Sequence, residues 1–132
     1  MKRRLVAAAL VLVFPFGMAA CGAQSKEAAC KQIQKAATTA SSEINFDANS
    51  NENDFKEGLD KALKIYKKAA KKVTNNEVKA AYADVITDMD KLADAMNNGA
   101  DFYESDEVLD LTTELSAHGE KLNELCGFSW DQ

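Results

Sequence analysis

The chain has 132 residues, enough for one domain at most, and it contains a single proline. Its formal net charge is −5, so it lacks the positive field that general nucleic-acid binding needs, and we expect no nucleic-acid partner. The chain is rich in Ala, Lys, Glu, Asp and Leu, a composition that favours an all-α fold over a β-sheet.

Residues 1–20 have the order of a secretory signal peptide. Positive residues at 2–4 precede an apolar segment at 5–16, and small residues follow it. The apolar segment is shorter than the roughly 20 residues that a membrane-spanning helix needs. We therefore predict that the chain is exported and that residues 1–20 are removed; an uncleaved N-terminal anchor is the alternative.

A short motif, Met18-Ala19-Ala20-Cys21, ends this segment. It resembles the lipobox of bacterial lipoproteins, in which a hydrophobic residue and two small residues precede a cysteine. The resemblance implies cleavage before Cys21 and attachment of diacylglycerol, with fatty acids such as palmitate, to the Cys21 thiol. The protein would then be anchored to the outer, extracytoplasmic face of the cell membrane. Leucine is the usual first residue of the box, so ordinary signal cleavage near Ala19 is the alternative.

Two of the three cysteines, Cys30 and Cys126, remain when Cys21 carries lipid. Export places them in an oxidising compartment, where a disulfide persists. They lie near opposite ends of the mature chain, so a bond between them would close most of it into one loop. We predict this disulfide; two unpaired, buried cysteines are the alternative.

Apolar residues recur at helical spacing in four segments of the chain. In the first segment, Ile33, Ala37, Ala40 and Ile44 follow one another in steps of three and four residues. This spacing places them on one face of an amphipathic helix. The four predicted helices span residues 24–44, 54–73, 77–96 and 106–126.

Polar residues and glycines mark the helix ends. A polar linker, 45–53, separates the first two helices, whereas only 74–76 separates the second from the third. The second and third helices could therefore form one kinked helix. Gly99 and Gly127 are predicted helix stops. The predicted start signals are capping boxes of Asp54 with Glu57 and Thr74 with Glu77, and an N-cap at Ser105.

Four amphipathic helices with short connections favour an antiparallel, up-down-up-down four-helix bundle. In that arrangement the first helix starts where the fourth ends, so Cys30 and Cys126 meet at the same end. We therefore predict a bundle domain at 27–132, closed by one disulfide, behind a lipidated tether at 21–26.

His118 is the only histidine, and it lies on the apolar face of the fourth helix. Glu114, one turn earlier, could share a metal ion with it. The di-iron bundle signature, however, needs a glutamate three residues before the histidine, and Leu115 stands there. We predict a structural or interfacial role for His118 and no resident metal or cofactor. A small-ligand or metal-binding bundle centred on His118 is the alternative.

Paired carboxylates occur on the third helix. Asp84 with Asp88, and Asp90 with Asp94, are spaced four residues apart, as calcium ligands or acid–base pairs can be. The surrounding sequence lacks an EF-hand loop. We predict that these aspartates form a solvated acidic face opposite the basic second helix.

Charge is divided unevenly along the chain. Residues 56–72 hold seven lysines and two acidic residues, whereas 77–132 hold three lysines and fourteen acidic residues. The basic residues could contact anionic lipid head groups or envelope polymers. Complementarity with the acidic helices, together with solubility, is the interpretation we favour. This basic strip consists of Lys61, Lys64, Lys67, Lys68, Lys71 and Lys72.

Two aromatic residues, Phe128 and Trp130, follow the last helix. We predict that they cover the disulfide end of the bundle; an aromatic handle for a partner is the alternative. No combination of nucleophile, base and orienting group stands out in the sequence, so we do not expect an enzyme.

The whole plan resembles small helical lipoproteins of actinobacterial type. The resemblance rests on the signal segment, Cys21, Cys30 followed by Ile33, and Cys126 followed by Gly127. It implies a location and a fold but no activity. We therefore predict a non-enzymatic binding or interaction module of the cell envelope, whose partner is an envelope protein or an anionic polymer.

Overall fold

A computed structural model describes residues 22–45, 47 and 49–128. These residues form an all-α fold of four helices, without a strand: α1 Lys26–Glu43, α2 Glu52–Ala70, α3 Asn76–Asn97 and α4 Asp106–Cys126. The predicted signal peptide, the lipidation residue Cys21 and Trp130 lie outside the described residues.

The start of α2 differs from the prediction. Asn51 is the N-cap, and its side chain accepts hydrogen bonds from the backbone N–H groups of Asn53 and Asp54. The Asp54 carboxylate accepts a hydrogen bond from the backbone N–H of Asn51 at 2.9 Å, which completes the capping box. The predicted box of Asp54 with Glu57 is wrong because Asp54 lies inside the first turn, where its side chain reaches back to the cap.

The start of α3 also differs. Its N-cap is Asn75, whose side chain accepts a hydrogen bond from the Val78 N–H at 3.1 Å, so the box of Thr74 with Glu77 is wrong. Thr74 is bonded instead to the residues that precede α1. The predicted cap of α4 is confirmed, since the Ser105 side chain accepts a hydrogen bond from the Val108 N–H.

Helices α3 and α4 end at the predicted glycines. Gly99 has φ 92° and Gly127 has φ 67°, both in the left-handed region that side chains disfavour. Helices α2 and α3 are separate, because the chain leaves helical geometry between Ala70 and Asn76. Val73, in this connection, is buried with 1% exposure.

The four helices pack as an antiparallel, up-down-up-down bundle, and a disulfide joins the first helix to the last. Each helix packs mainly on its neighbours in sequence, and the contact between α1 and α4 is the least extensive of those that close the bundle. The core is centred on α3, which buries the most residues, whereas α4 fully buries only Val108 and Leu122.

Candidate functional site

The disulfide joins the first turns of α1 to the last residue of α4. Cys30 and Cys126 have Cα atoms 5.5 Å apart, and the bond closes a sequence separation of 96 residues. The two helices run in opposite directions, so these positions lie at the same end of the bundle. We call this end, where α1 and α3 start and α2 and α4 finish, the disulfide end; the opposite end is the distal end. The predicted pairing is confirmed.

An open groove of about 660 Å³ lies beside the disulfide. Cys30, Ala37 and Phe128 line it together with polar residues of α1. Phe128 is partly buried and packs against the hydrophobic core, which agrees with the covering role predicted for it. Helices α1 and α4 share the least extensive of the interfaces that close the bundle, and the groove lies along the face of α1 beside that interface.

Three hydrogen bonds hold the segment before α1 against the loop between α2 and α3. The Gln24 N–H donates to Thr74 Oγ1 at 2.9 Å, and the Thr74 N–H donates to Gln24 Oε1 at 2.7 Å. The side-chain amide of Asn75 donates to the Gln24 carbonyl at 3.2 Å. An ion pair of 3.1 Å between Lys26 and Glu77 lies beside them.

This contact shortens the tether that the sequence predicts at 21–26. Ser25 is the N-cap of α1, and Lys26 is its first helical residue. Because the N–H group, the carbonyl group and the side chain of Gln24 all form hydrogen bonds, the predicted tether could include only residues before Gln24. Sequence reasoning missed the contact because its partners are 50 residues apart and neither belongs to a periodic pattern.

His118 contacts a buried carboxylate. Its Nδ1 lies 2.5 Å from Oδ2 of Asp88, which joins α4 to α3. Asp88 is 2% exposed, whereas 37% of the His118 side chain remains exposed. The hydrogen bond to Asp88 raises the pKa of His118, partial burial lowers it, and the negative charges of Asp88 and Asp84 raise it again. His118 is therefore an interfacial residue whose ring has a charged partner.

The prediction of a fully solvated acidic face on α3 is wrong for Asp88. Its side chain points between α3 and α4, where His118 supplies the hydrogen bond that a buried carboxylate requires. Asp90 on the same helix forms an ion pair of 2.7 Å with Lys67 of α2. Asp94 is exposed, as predicted.

An open cleft of about 370 Å³ leads to His118. Asp84, Asp88 and Glu114 line it, and Glu114 lies 3.8 Å from the amine of Lys91. Within residues 22–45, 47 and 49–128, no three side chains of the His, Cys, Asp and Glu types stand close enough together to hold a metal ion. The cleft is therefore a polar recess beside one histidine–carboxylate pair.

The basic strip divides into paired and unpaired lysines. Lys61 pairs with Glu57 at 2.8 Å, and Lys67 pairs with Asp90 at 2.7 Å. The predicted complementarity with α3 therefore occurs at one lysine of the strip. In the described part of the chain, no ion pair involves the other four, which are Lys64, Lys68, Lys71 and Lys72.

The distal end has an aromatic cluster that sequence reasoning missed. The rings of Phe55 and Phe102 have centroids 4.8 Å apart, and those of Phe102 and Tyr103 are 5.2 Å apart. Tyr103 is 91% exposed. Phe102 and Tyr103 lie in the loop before α4, among acidic residues. They belong to no helical pattern of apolar residues, so the sequence does not predict the cluster.

Comparisons of the chain with protein-family models, with curated proteins and with solved structures found no match. Within the described ranges, none of the helices combines the length and the apolar character that crossing a membrane requires. Each helix is instead amphipathic, with one buried face and charged residues on the other.

Proposed function

We propose that the chain is a lipid-anchored protein of the extracytoplasmic face of the cell membrane and that it acts as a non-enzymatic binding or interaction module. The observation that carries the proposal is the Cys30–Cys126 disulfide. It uses both of the other cysteines in the chain and leaves Cys21, the cysteine of the lipobox-like motif, for the lipid. A disulfide also persists in the oxidising compartment to which a signal peptide leads.

The chemistry of the anchor explains why a cysteine is needed. A thiolate is the nucleophile that attacks the glyceryl carbon of a phospholipid donor, so that a carbon–sulfur bond forms, the carbon–oxygen bond to the phosphate breaks and the phosphorylated head group leaves. One acyl chain holds a protein only marginally at a membrane, whereas two or more hold it stably. Cys21 is thus an anchor in this proposal and takes no part in catalysis.

The outward-facing residues support a role in binding a partner. Four lysines of the basic strip form no ion pair with a described residue, and they are available for an anionic partner. Lys64, Lys68 and Lys72 line an open groove of about 400 Å³ together with Lys35 of α1. Tyr103 presents an aromatic ring at the distal end. Aromatic residues are enriched where proteins contact one another. The partner is accordingly an envelope protein or an anionic polymer.

One observation favours a second candidate, a bundle that binds a small ligand or a metal at His118. The cleft beside His118 is bordered by the carboxylates of Asp84 and Glu114. Zinc added to the purified protein distinguishes the two candidates. We expect the melting temperature to stay unchanged; an increase in the wild type that His118→Gln abolishes would favour the metal site.

The anchor is tested by mass spectrometry of the protein purified from the membranes of the producing cell. We expect a mature N-terminus at Cys21 that carries diacylglycerol, and retention of the protein through detergent-free salt washes. The matched control replaces the disulfide cysteines, Cys30→Ser with Cys126→Ser, and should keep the lipid. An N-terminus ahead of Cys21, or a Cys21 without fatty acids, would contradict the proposal.

A further inference from the structure

The two halves of the bundle carry opposite net charge. When each helix is divided at its midpoint, the half next to the disulfide end comprises 22–34, 61–86 and 116–128. It holds ten lysines and five acidic residues, a net charge of +5. The described residues of the distal half, within 35–60 and 87–115, hold three lysines and fifteen acidic residues, a net charge of −12. The molecule is therefore strongly polarised along its long axis.

The positive half is the one from which the tether leaves. Gln24 is held by Thr74 and Asn75, so only Cys21, Gly22 and Ala23 separate it from the proposed lipid. Three extended residues span about 10 Å. That length is close to the Debye length, about 8 Å at physiological ionic strength, within which exposed charges interact appreciably. A lipid on Cys21 would hold the disulfide end within electrostatic reach of the head groups.

Exposed lysines lie at the end of the bundle from which the tether leaves. Lys71 and Lys72 end the basic strip just before Thr74, the residue that holds Gln24. Both are exposed, and neither forms an ion pair with a described residue. Lys79, in the first turns of α3, is exposed at the same end. These amines are therefore available for a negatively charged surface.

We infer that the bundle stands end-on at the membrane, with the disulfide end against anionic phospholipid head groups and the acidic distal end directed away from them. This inference rests on the proposed lipid anchor and adds the orientation and the class of lipid to it. Two independent features give the same direction: the short tether fixes which end is near the membrane, and the charge distribution determines that an anionic surface attracts that end and repels the other.

The orientation is tested on the acylated full-length mature protein in two kinds of vesicle, one of phosphatidylcholine alone and one with an equal share of phosphatidylglycerol. A water-soluble acetylating reagent labels accessible lysines, and mass spectrometry gives the rate at each one. We expect the rates at Lys71 and Lys72 to fall several-fold with phosphatidylglycerol and to recover at high salt. The rates at Lys56 and Lys91, in the distal half, should be equal in both vesicles.

A charge-matched pair of variants sharpens the test. Lys71→Gln with Lys72→Gln removes two positive charges at the disulfide end, and Lys56→Gln with Lys91→Gln removes two in the distal half. We expect the double variant at Lys71 and Lys72 to reduce the protection of Lys79 by phosphatidylglycerol. The double variant in the distal half should leave that protection unchanged. Equal protection of both halves, or an equal loss in both double variants, would overturn the end-on orientation.

The same samples separate failure of the orientation from failure of the anchor. The mass of the N-terminal peptide reports whether Cys21 is acylated. An unacylated Cys21 would overturn the anchor and the orientation together. Acylated protein whose Lys71 and Lys72 react equally in both vesicles would overturn the orientation alone. Protection of Lys35 and Lys64 by an added polyphosphate, without any effect of phosphatidylglycerol, would assign the basic strip to a polymer and overturn the lipid assignment.

Discussion

The two ends of the bundle are held together by different chemistry. At the disulfide end, a covalent bond joins Cys30 to Cys126, and hydrogen bonds of Gln24 tie the chain to the loop between α2 and α3. At the distal end, the closing contacts are noncovalent and include the rings of Phe55 and Phe102. The comparison indicates that one end is fixed by the chain's covalent structure, whereas the other depends on apolar contacts that are partly exposed to water.

The disulfide lies where noncovalent packing is weakest. Helix α4 fully buries only Val108 and Leu122, and α1 and α4 share the least extensive of the interfaces that close the bundle. Small residues, including Ala29 and Ala36, make up much of the buried face of α1. Burial of small side chains removes little apolar area from water, so it contributes little to stability. The covalent bond therefore supplies closure that side-chain burial at this pair of helices does not.

The largest effect is expected from removal of the disulfide. Cys30→Ser with Cys126→Ser should lower the free energy of unfolding by about 4–5 kcal/mol according to the loop-entropy relation. Urea unfolding followed by circular dichroism measures the difference. Hydrogen exchange should increase most in α1 and α4, and chemically reduced wild type should match the variant. A double variant as stable as the oxidised wild type would show that packing alone closes the bundle.

A smaller effect is expected at the aromatic cluster of the distal end. Phe102→Ala should cost about 1–2 kcal/mol, less than a fully buried phenylalanine, because the ring is only partly buried. Tyr103→Ala is the matched control: its ring is 91% exposed, so its replacement should change stability by less than about 0.5 kcal/mol. Thermal unfolding compares the two, and equal losses would mean that Tyr103 contributes to the cluster as much as Phe102.

The smallest effect is expected in the pH dependence of the free energy of unfolding. It comes from His118 and Asp88, which lie between the two ends of the bundle. The hydrogen bond to Asp88 raises the pKa of His118 above its ordinary value of about 6.5. A raised folded-state pKa means that the folded protein binds this proton more tightly than the unfolded chain does. The contribution of His118 is therefore fully present below the unfolded pKa and is lost as pH rises through the folded pKa. Because part of the ring is exposed, water screens its interaction with Asp88, so the contribution to the free energy of unfolding is small.

His118→Gln isolates this contribution. The variant should lose the part of the pH dependence of stability that appears just above the ordinary histidine pKa and keep the rest. Titration of the His118 ring by nuclear magnetic resonance measures the pKa directly. A ring that titrates below the ordinary value would show that burial outweighs the contact with Asp88.

The fold is predictable from the sequence because it depends on local patterns of apolar residues and on the number of cysteines. The periodic spacing of residues such as Ile33, Ala37 and Ala40 shows where a helix forms and which face it buries. The predicted lipidation of Cys21 leaves two cysteines, and the pairing expected of them is the one that the structure has. The helix caps are less predictable because the sequence places Asn51 and Asn75 beside other residues with the same capping chemistry.

The details of the candidate sites were not predictable because they depend on how distant segments meet. The partners Asp88 and His118 are 30 residues apart, and their contact follows from the relative rotation of α3 and α4. Gln24 and Thr74 are polar residues in irregular segments, and only the assembled bundle places them side by side. The same holds for Phe102, whose loop has no periodicity to indicate that its ring packs inward.

The position of the disulfide has a mechanical consequence. A pull on the residues before α1, opposed by a pull on the residues after Gly127, passes from α1 to α4 through the bond between Cys30 and Cys126. The covalent path of that tension bypasses the loop that the bond closes, which spans a sequence separation of 96 residues and holds α2, α3 and most of α1 and α4. The bundle therefore keeps its shape under load for as long as the disulfide is not reduced.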